Sequence, residues 1–201
     1  MEGAERRSAP SMVSGMTRLG LLAALLLTGL LPVTGCGGDD EVAGGAADLP
    51  GPVPAGVSFA DPPATSPAAP DFSVELVDGT PVTASELWAE RPVVLVFTAS
   101  YCNRCAGIHR EVARAVDEHD GAIALVGMAG ADDRDAGGYA DRLDLGHPVA
   151  VAGERIWLSY AAREPSLVVL VAQGGKVLRG WPNGVDADEL APRLDELVVH
   201  E

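Results

Sequence analysis

Lysine is almost absent from this 201-residue sequence. Lys176 is the only one, and 14 basic residues face 29 acidic ones for a net charge of −15. From Pro70 onward, 11 basic residues against 22 acidic ones still leave −11. Neutralising a phosphate backbone needs clustered Lys and Arg, so no nucleic acid is expected as a partner. A long apolar run is missing too: Leu19 to Val33 gives fifteen largely apolar residues, short of the ~20 that a spanning helix needs. Cysteine is scarce, with Cys36, Cys102 and Cys105 the only three. An odd number in an exported chain calls for a separate use of one of them. No internal repeat is present.

The short apolar run follows Arg6, Arg7 and Arg18, the form of an export signal, and ends in Val33-Thr34-Gly35-Cys36. That ending resembles the lipobox of bacterial lipoproteins. The resemblance implies cleavage before Cys36, lipid on Cys36, and anchoring at the extracytoplasmic face of the cell membrane. An ordinary signal peptide beside a free cysteine, or a short uncut anchor, are the alternatives. Residues 36–69 are rich in Gly, Pro and Ala with few large apolar side chains. Such a segment buries too little to offset its chain entropy and is expected to be a disordered tether. The expected organisation is therefore a signal peptide over 1–35, a tether over 36–69, and one domain over 70–201, long enough to bury a core.

The domain is organised around one stretch. Val93-Val94-Leu95-Val96-Phe97 reads as a buried strand, and it runs through Thr98-Ala99-Ser100-Tyr101 into Cys102-Asn103-Arg104-Cys105 and a helical pattern. A helix beginning at Cys102 would aim its free N–H groups and positive dipole end at that sulfur, favouring the thiolate, which is the nucleophile. Arg104 adds a positive charge in the same turn. The two-residue spacing lets the sulfurs meet as an easily reduced disulfide. Cys105, Ile108, Val112, Ala115, Val116 and His119 recur at helical spacing, so Cys105 belongs on the buried stripe and Cys102 at the exposed tip. One sulfur attacks and the other resolves. The competing reading makes Cys102, Cys105 and His109 three zinc ligands. A fourth is not supplied at ligand spacing, since His119, His147 and His200 are scattered.

Around this stretch, 72–77 alternates as a strand, Asp78-Gly79 is a turn, and 84–89 is a short helix. Residues 122–128 form a second buried strand. Asp132 and Asp133 are placed to cap a helix running to about Leu143, 147–151 is extended, and 154–161 is helical. Residues 166–171 and 176–181 flank Gly174-Gly175 as a hairpin, and 186–199 closes the chain as an amphipathic helix. The expected class is α/β, a mixed central sheet with helices on both faces.

This order of elements, the Cys-x-x-Cys at a helix start and the proline of Glu164-Pro165 before the hairpin resemble the thioredoxin fold. The N-terminal strand extension, the insertion after the second core strand and the lipobox are similar to the TlpA/ResA class of extracytoplasmic thiol–disulfide oxidoreductases. The resemblance implies Cys102 as attacking and Cys105 as resolving cysteine. It also implies substrate binding by Tyr101, Arg104, Glu164 and Pro165, with Glu164-Pro165 as the family's cis-proline step. The cysteine pair alone would carry the electrons, with no cofactor. Partners would be thiols or disulfides of exported proteins and a membrane electron donor, with cytochrome c maturation among the pathways open to such a protein. Departures from the pattern are Tyr101 for Trp, Asn103-Arg104 for Gly-Pro or Pro-Pro, Val96 in place of the buried carboxylate, and Ile108 in place of a glutamate. Deprotonation of Cys105 thus lacks its usual helper, for which Glu111, His109 or a water could stand in. The reading from a different class is a thioredoxin-fold module that carries copper or zinc without turnover.

Overall fold

The structure, a computed structural model, describes residues 42–200. The expected export signal and Cys36 lie outside the described residues. In chain order the first elements are β1 (Val57–Phe59), β2 (Ser73–Leu76), β3 (Pro81–Thr83), α1 (Ala84–Glu90) and β4 (Val93–Thr98). Then come α2 (Cys105–Asp117), β5 (Ala124–Gly130), α3 (Ala136–Leu143), β6 (Val149–Ala152) and α4 (Glu154–Ser159). The hairpin β7 (Val168–Ala172) and β8 (Lys176–Trp181), α5 (Ala187–Asp195) and β9 (Val198–His200) complete it.

Seven strands form one mixed sheet in the order β3-β2-β6-β5-β4-β7-β8. β4 runs parallel to β5 from Val93 opposite Ala124 to Thr98 opposite Ala129, and antiparallel to β7 from Val93 opposite Val171 to Val96 opposite Val168. All six residues of β4 are buried, because the strand feeds two cores at once. Val93, Leu95 and Phe97 pack with Phe72, Trp88 and Trp157 on one face; Val94 and Val96 pack with α2 and α5 on the other. A strand buried on both faces must read as a continuous apolar run, as this one does. Each such side chain contributes about 1.5–3 kcal/mol on burial. Helices on both faces of a mixed sheet match the class expected from sequence.

Most bounds shift by a residue or two, and three differences have a structural cause. α2 begins at Cys105 with Arg104 as its N-cap residue, so Cys102 stands ahead of the helix and not in its first turn. The turn that links them is closed by the Cys105 N–H donating to the Cys102 carbonyl at 3.1 Å. α3 begins only at Ala136, since the Asp133 carboxylate is occupied elsewhere. The closing helix ends at Asp195, and Val198–His200 turns into a strand.

The partner of that strand is the largest departure. Residues 36–69 read as a disordered tether by composition, yet from residue 42 onward the segment is laid on the domain. β1 pairs antiparallel with β9, Ser58 opposite Val199. Gly44 accepts from the Val149 N–H at 2.7 Å, and Ala46 and Leu49 pack on the core. Gly44 has φ +82, and a Cβ there would sit 2.8 Å from the Ala140 Cβ, so only glycine fits this close approach. Buried Arg91 bridges the two parts, donating to the Gly121 and Gly51 carbonyls at 2.5 and 2.6 Å. A few long-range polar contacts of this kind supply the order that local composition does not.

Candidate active site

β4, an interior strand, delivers the loop 99–104 at its C-terminal end, and α2 carries the chain back along the sheet. Cys102 and Cys105 are joined as a disulfide with Cα atoms 5.4 Å apart. Cys105 is 0% exposed, packed with Ala129, Ala136, Tyr139 and Val149, whereas Cys102 is partly exposed at the rim. The loop is pinned by Asp133, whose carboxylate accepts from the Ser100 N–H at 2.5 Å and the Ser100 hydroxyl at 2.6 Å. Expected to cap a helix, Asp133 instead fixes the backbone two residues before Cys102. Nothing local in the sequence marks that role, because the partners are 33 positions apart.

A groove of about 720 Å³ opens beside the loop. Tyr101 and Pro165 both line it, with Trp157 and Leu158 from α4 and Asp133 and Arg163 at its polar margin. Tyr101 is 73% and Leu158 59% exposed, large apolar surfaces left open at a groove mouth. The segment after Pro165 is held to β4 by the Ser166 N–H donating to the Phe97 carbonyl at 2.6 Å. Ser166 takes φ 91 to do so, a backbone region that a residue with a side chain rarely adopts. Of the other expected site residues, Glu164 is exposed next to Pro165. Arg104 is exposed too, but lines a separate cleft with Ile108 and Gly184. Tyr101 and Pro165 are thus brought together, and Arg104 is not.

Val96 is fully buried in the apolar core and offers Cys105 no polar group. One turn along α2 from Cys105, the same stripe carries His109, also 0% exposed. Its Nδ1 lies 3.0 Å from Nε2 of His147, 5% exposed, in the turn before β6. The rings are stacked, with centroids 5.0 Å apart at 19°, and Tyr139 of α3 packs edge-on 6.0 Å from His109. Burial pushes His109 down to about 3, with the neighbouring His147 adding to the effect. Burial likewise pushes His147 down to about 4, against smaller opposing influences of the Leu145 backbone and Asp48. The Leu145 backbone lies close enough to favour a charged ring but forms no proper hydrogen bond with it: His147 Nδ1 and His109 Nε2 are both buried without a partner. Both rings are therefore neutral at neutral pH. His109 faces inward to His147, and among the described residues no group of three or more Cys, His, Asp or Glu is placed to hold a metal.

No protein-family model matches the sequence. No curated protein matches it either. Solved structures do. A thiol–disulfide oxidoreductase from Bacteroides fragilis superposes with a TM-score of 0.56 at 21% identity, covering 65% of this chain and 98% of the other. A secreted Mycobacterium tuberculosis disulfide oxidoreductase homologous to DsbE of E. coli gives 0.54 at 21% identity, over 62% and 94%. The exposed lipoprotein thioredoxin of Streptococcus pneumoniae gives 0.56 at 21% identity, over 64% and 100%. The fold is accordingly the thioredoxin fold that the order of elements resembles.

Proposed function

We propose that the protein is a thiol–disulfide oxidoreductase of exported proteins, of the TlpA/ResA kind, working through Cys102 and Cys105. The observation that carries this is the placement of two bonded sulfurs at the lip of α2, one reachable beside a peptide-sized groove and the other sealed in the core. In the reduced protein the Cys102 thiolate attacks a substrate disulfide. A Cys102–substrate disulfide forms and one substrate sulfur leaves as a thiolate. Cys105, once deprotonated, attacks the Cys102 sulfur, restores the internal disulfide and releases the second substrate thiol. Two electrons have passed to the substrate, and a dithiol donor, in keeping with a membrane electron donor, must return them. Run in reverse, the same steps oxidise a substrate dithiol.

An extended segment of the partner fits between Tyr101 and the Glu164-Pro165 loop, its apolar side chains covering Tyr101 and Leu158. The lipobox-like Val33-Thr34-Gly35-Cys36 supports an extracytoplasmic, lipid-anchored location, and the neighbours above include a secreted protein and an exposed lipoprotein. Outside the cytoplasm the pair stays oxidised unless a partner reduces it. Apocytochromes of c-type cytochrome maturation fall within this substrate class.

Alkylation with a mass-shift reagent tests the reading. The exported protein is expected to gain two labels only after dithiothreitol, reversibly, and palmitate labelling is expected to vanish in Cys36→Ala. A purified protein whose thiols are already free and loaded with stoichiometric copper or zinc would overturn the redox reading in favour of a metal carrier.

A further inference from the structure

We propose that the cleft between the start of α2 and the loop after β8 receives acidic side chains of the substrate protein, where its chain runs on past Cys102 from the groove. The inference rests on the exchange reading above and deepens it by naming a chemistry in the partner. Groove and cleft flank the reactive sulfur: Tyr101, one residue before Cys102, lines the first, and Arg104, two residues after it, lines the second. The cleft holds about 580 Å³. Gly107 leaves one side of it open, since a Cβ there would meet nothing within 4 Å. The far wall is the turn at Gly184, pressed so closely on α2 that a Cβ there would sit 2.5 Å from the Ile108 Cδ1. An extended chain seated in the groove continues across Cys102 into this preformed recess.

The free charge in that recess is positive, although the chain carries −15 overall. Three carboxylates line it, and each is already engaged. Glu111 accepts from Arg114 at 2.8 Å and from the Ala187 N–H at 3.2 Å. Glu189 accepts from Trp181 Nε1 at 2.7 Å and from Arg179 at 3.3 Å. Asp186 caps α5, accepting from the Glu189 N–H at 2.8 Å, where the helix dipole offsets its charge. Arg104 and Arg110 are exposed, and neither forms an ion pair among the described residues. Arg110 spends only its Nε, donating to the Ala106 carbonyl at 3.1 Å, so its outer fork stays open. A guanidinium fork matches a carboxylate in geometry and is weakly hydrated, so a carboxylate entering the recess gains charge-assisted hydrogen bonds. Discrimination is thus local: the molecule as a whole repels an acidic chain, and only one that reaches these two arginines is held.

The test uses the reduced protein and peptides with a single cysteine, activated as the mixed disulfide with 2-thiopyridine. On one side of the cysteine every peptide has the same apolar stretch; on the other it has a run of Glu or a run of Lys, and both chain directions are made. Release of thiopyridone gives the rate, and the ratio of Glu peptide to Lys peptide cancels any change in the reactivity of Cys102 itself. In the faster chain direction the ratio is expected to be about fivefold in favour of Glu at low salt, the reverse of what the net charge alone dictates, and to shrink at about 0.5 M salt. Arg104 also acts on the Cys102 thiolate, so the charge reversal is placed at Arg110. Arg110→Glu should bring the ratio to about one or below, whereas Arg142→Glu, the same change of charge on α3, should leave it within about twofold of the parent. A parent ratio of about two or less overturns the acidic docking. So does a ratio that survives Arg110→Glu, or one that falls as far in Arg142→Glu. A parent inert toward both peptides and toward 2,2′-dithiodipyridine would instead sink the exchange reading.

Discussion

The buried histidine pair makes the fold acid-labile in a calculable way. Each ring has its folded pKa depressed, to about 3 for His109 and about 4 for His147, while the unfolded chain binds a proton on each near 6.5. Above about pH 6.5 neither state binds a proton at these sites and they cost nothing. Between 6.5 and about 4 the unfolded state binds more protons, so stability falls as pH falls, by about 1.4 kcal/mol per unit for each ring. From pH 7 to 4.5 the pair removes about 5 kcal/mol, comparable to the whole stability of a marginal domain. Urea midpoints measured at half-unit steps over that range give the slope. His109→Leu/His147→Leu, which keeps bulk and removes both protons, should be nearly flat over the interval and is expected to outlast the parent at pH 4.5. A double variant with the same slope as the parent would refute the reasoning and place the acid sensitivity in the carboxylates.

Three further outcomes follow from named contacts. Removing residues 42–69 strips β1 from β9 and the Gly51 carbonyl from Arg91, and should lower Tm by roughly 10 °C, as a loss of ~3 kcal/mol does in a domain of this size; an unchanged Tm would mean the segment is not part of the folded unit. Asp133→Ala frees the Ser100 N–H and hydroxyl, costs about 1–3 kcal/mol in urea unfolding, and should slow exchange with a peptide disulfide more than with a small one; equal slowing contradicts a role in holding the Tyr101 loop. Arg104→Ala removes a charge from the N-cap of α2, which disfavours the Cys102 thiolate and makes the protein less oxidising by at most about 20 mV, less at high salt; a shift in the oxidising direction would move Arg104 from tuning to substrate recognition.

The frame of the domain was legible because its signals are local. A doubly buried strand must be apolar at every position, and Val93 to Phe97 is. A helix packed on one side repeats its buried residues every three or four positions, as Cys105, His109, Val112 and Val116 do. What stayed hidden depends on partners far along the chain. Val57–Phe59 has no alternation that marks a strand, and becomes one only because Val198–His200 offers an edge. α2 starts three residues later than a helix beginning at Cys102, because the Cys105 N–H closes a turn onto the Cys102 carbonyl that no propensity encodes. His109 was visible as one imidazole near the cysteines; that it meets His147, 38 residues later, follows from β6 lying beside β5 in the sheet. Asp133 looked like a helix cap because carboxylates before helices commonly are, and here the Ser100 backbone competes for it.

The division of labour between the two sulfurs is tested most directly by trapping. Cys105→Ser and Cys102→Ser are each expressed in the reduced state, mixed with a disulfide-bonded exported protein, quenched with acid, and analysed by mass spectrometry for the sulfur joined to the partner. A rim sulfur that attacks and a buried sulfur that resolves predict a stable partner adduct on Cys102 in Cys105→Ser and none on Cys105 in Cys102→Ser. Adducts of equal yield on both, or one on Cys105 alone, would contradict the account.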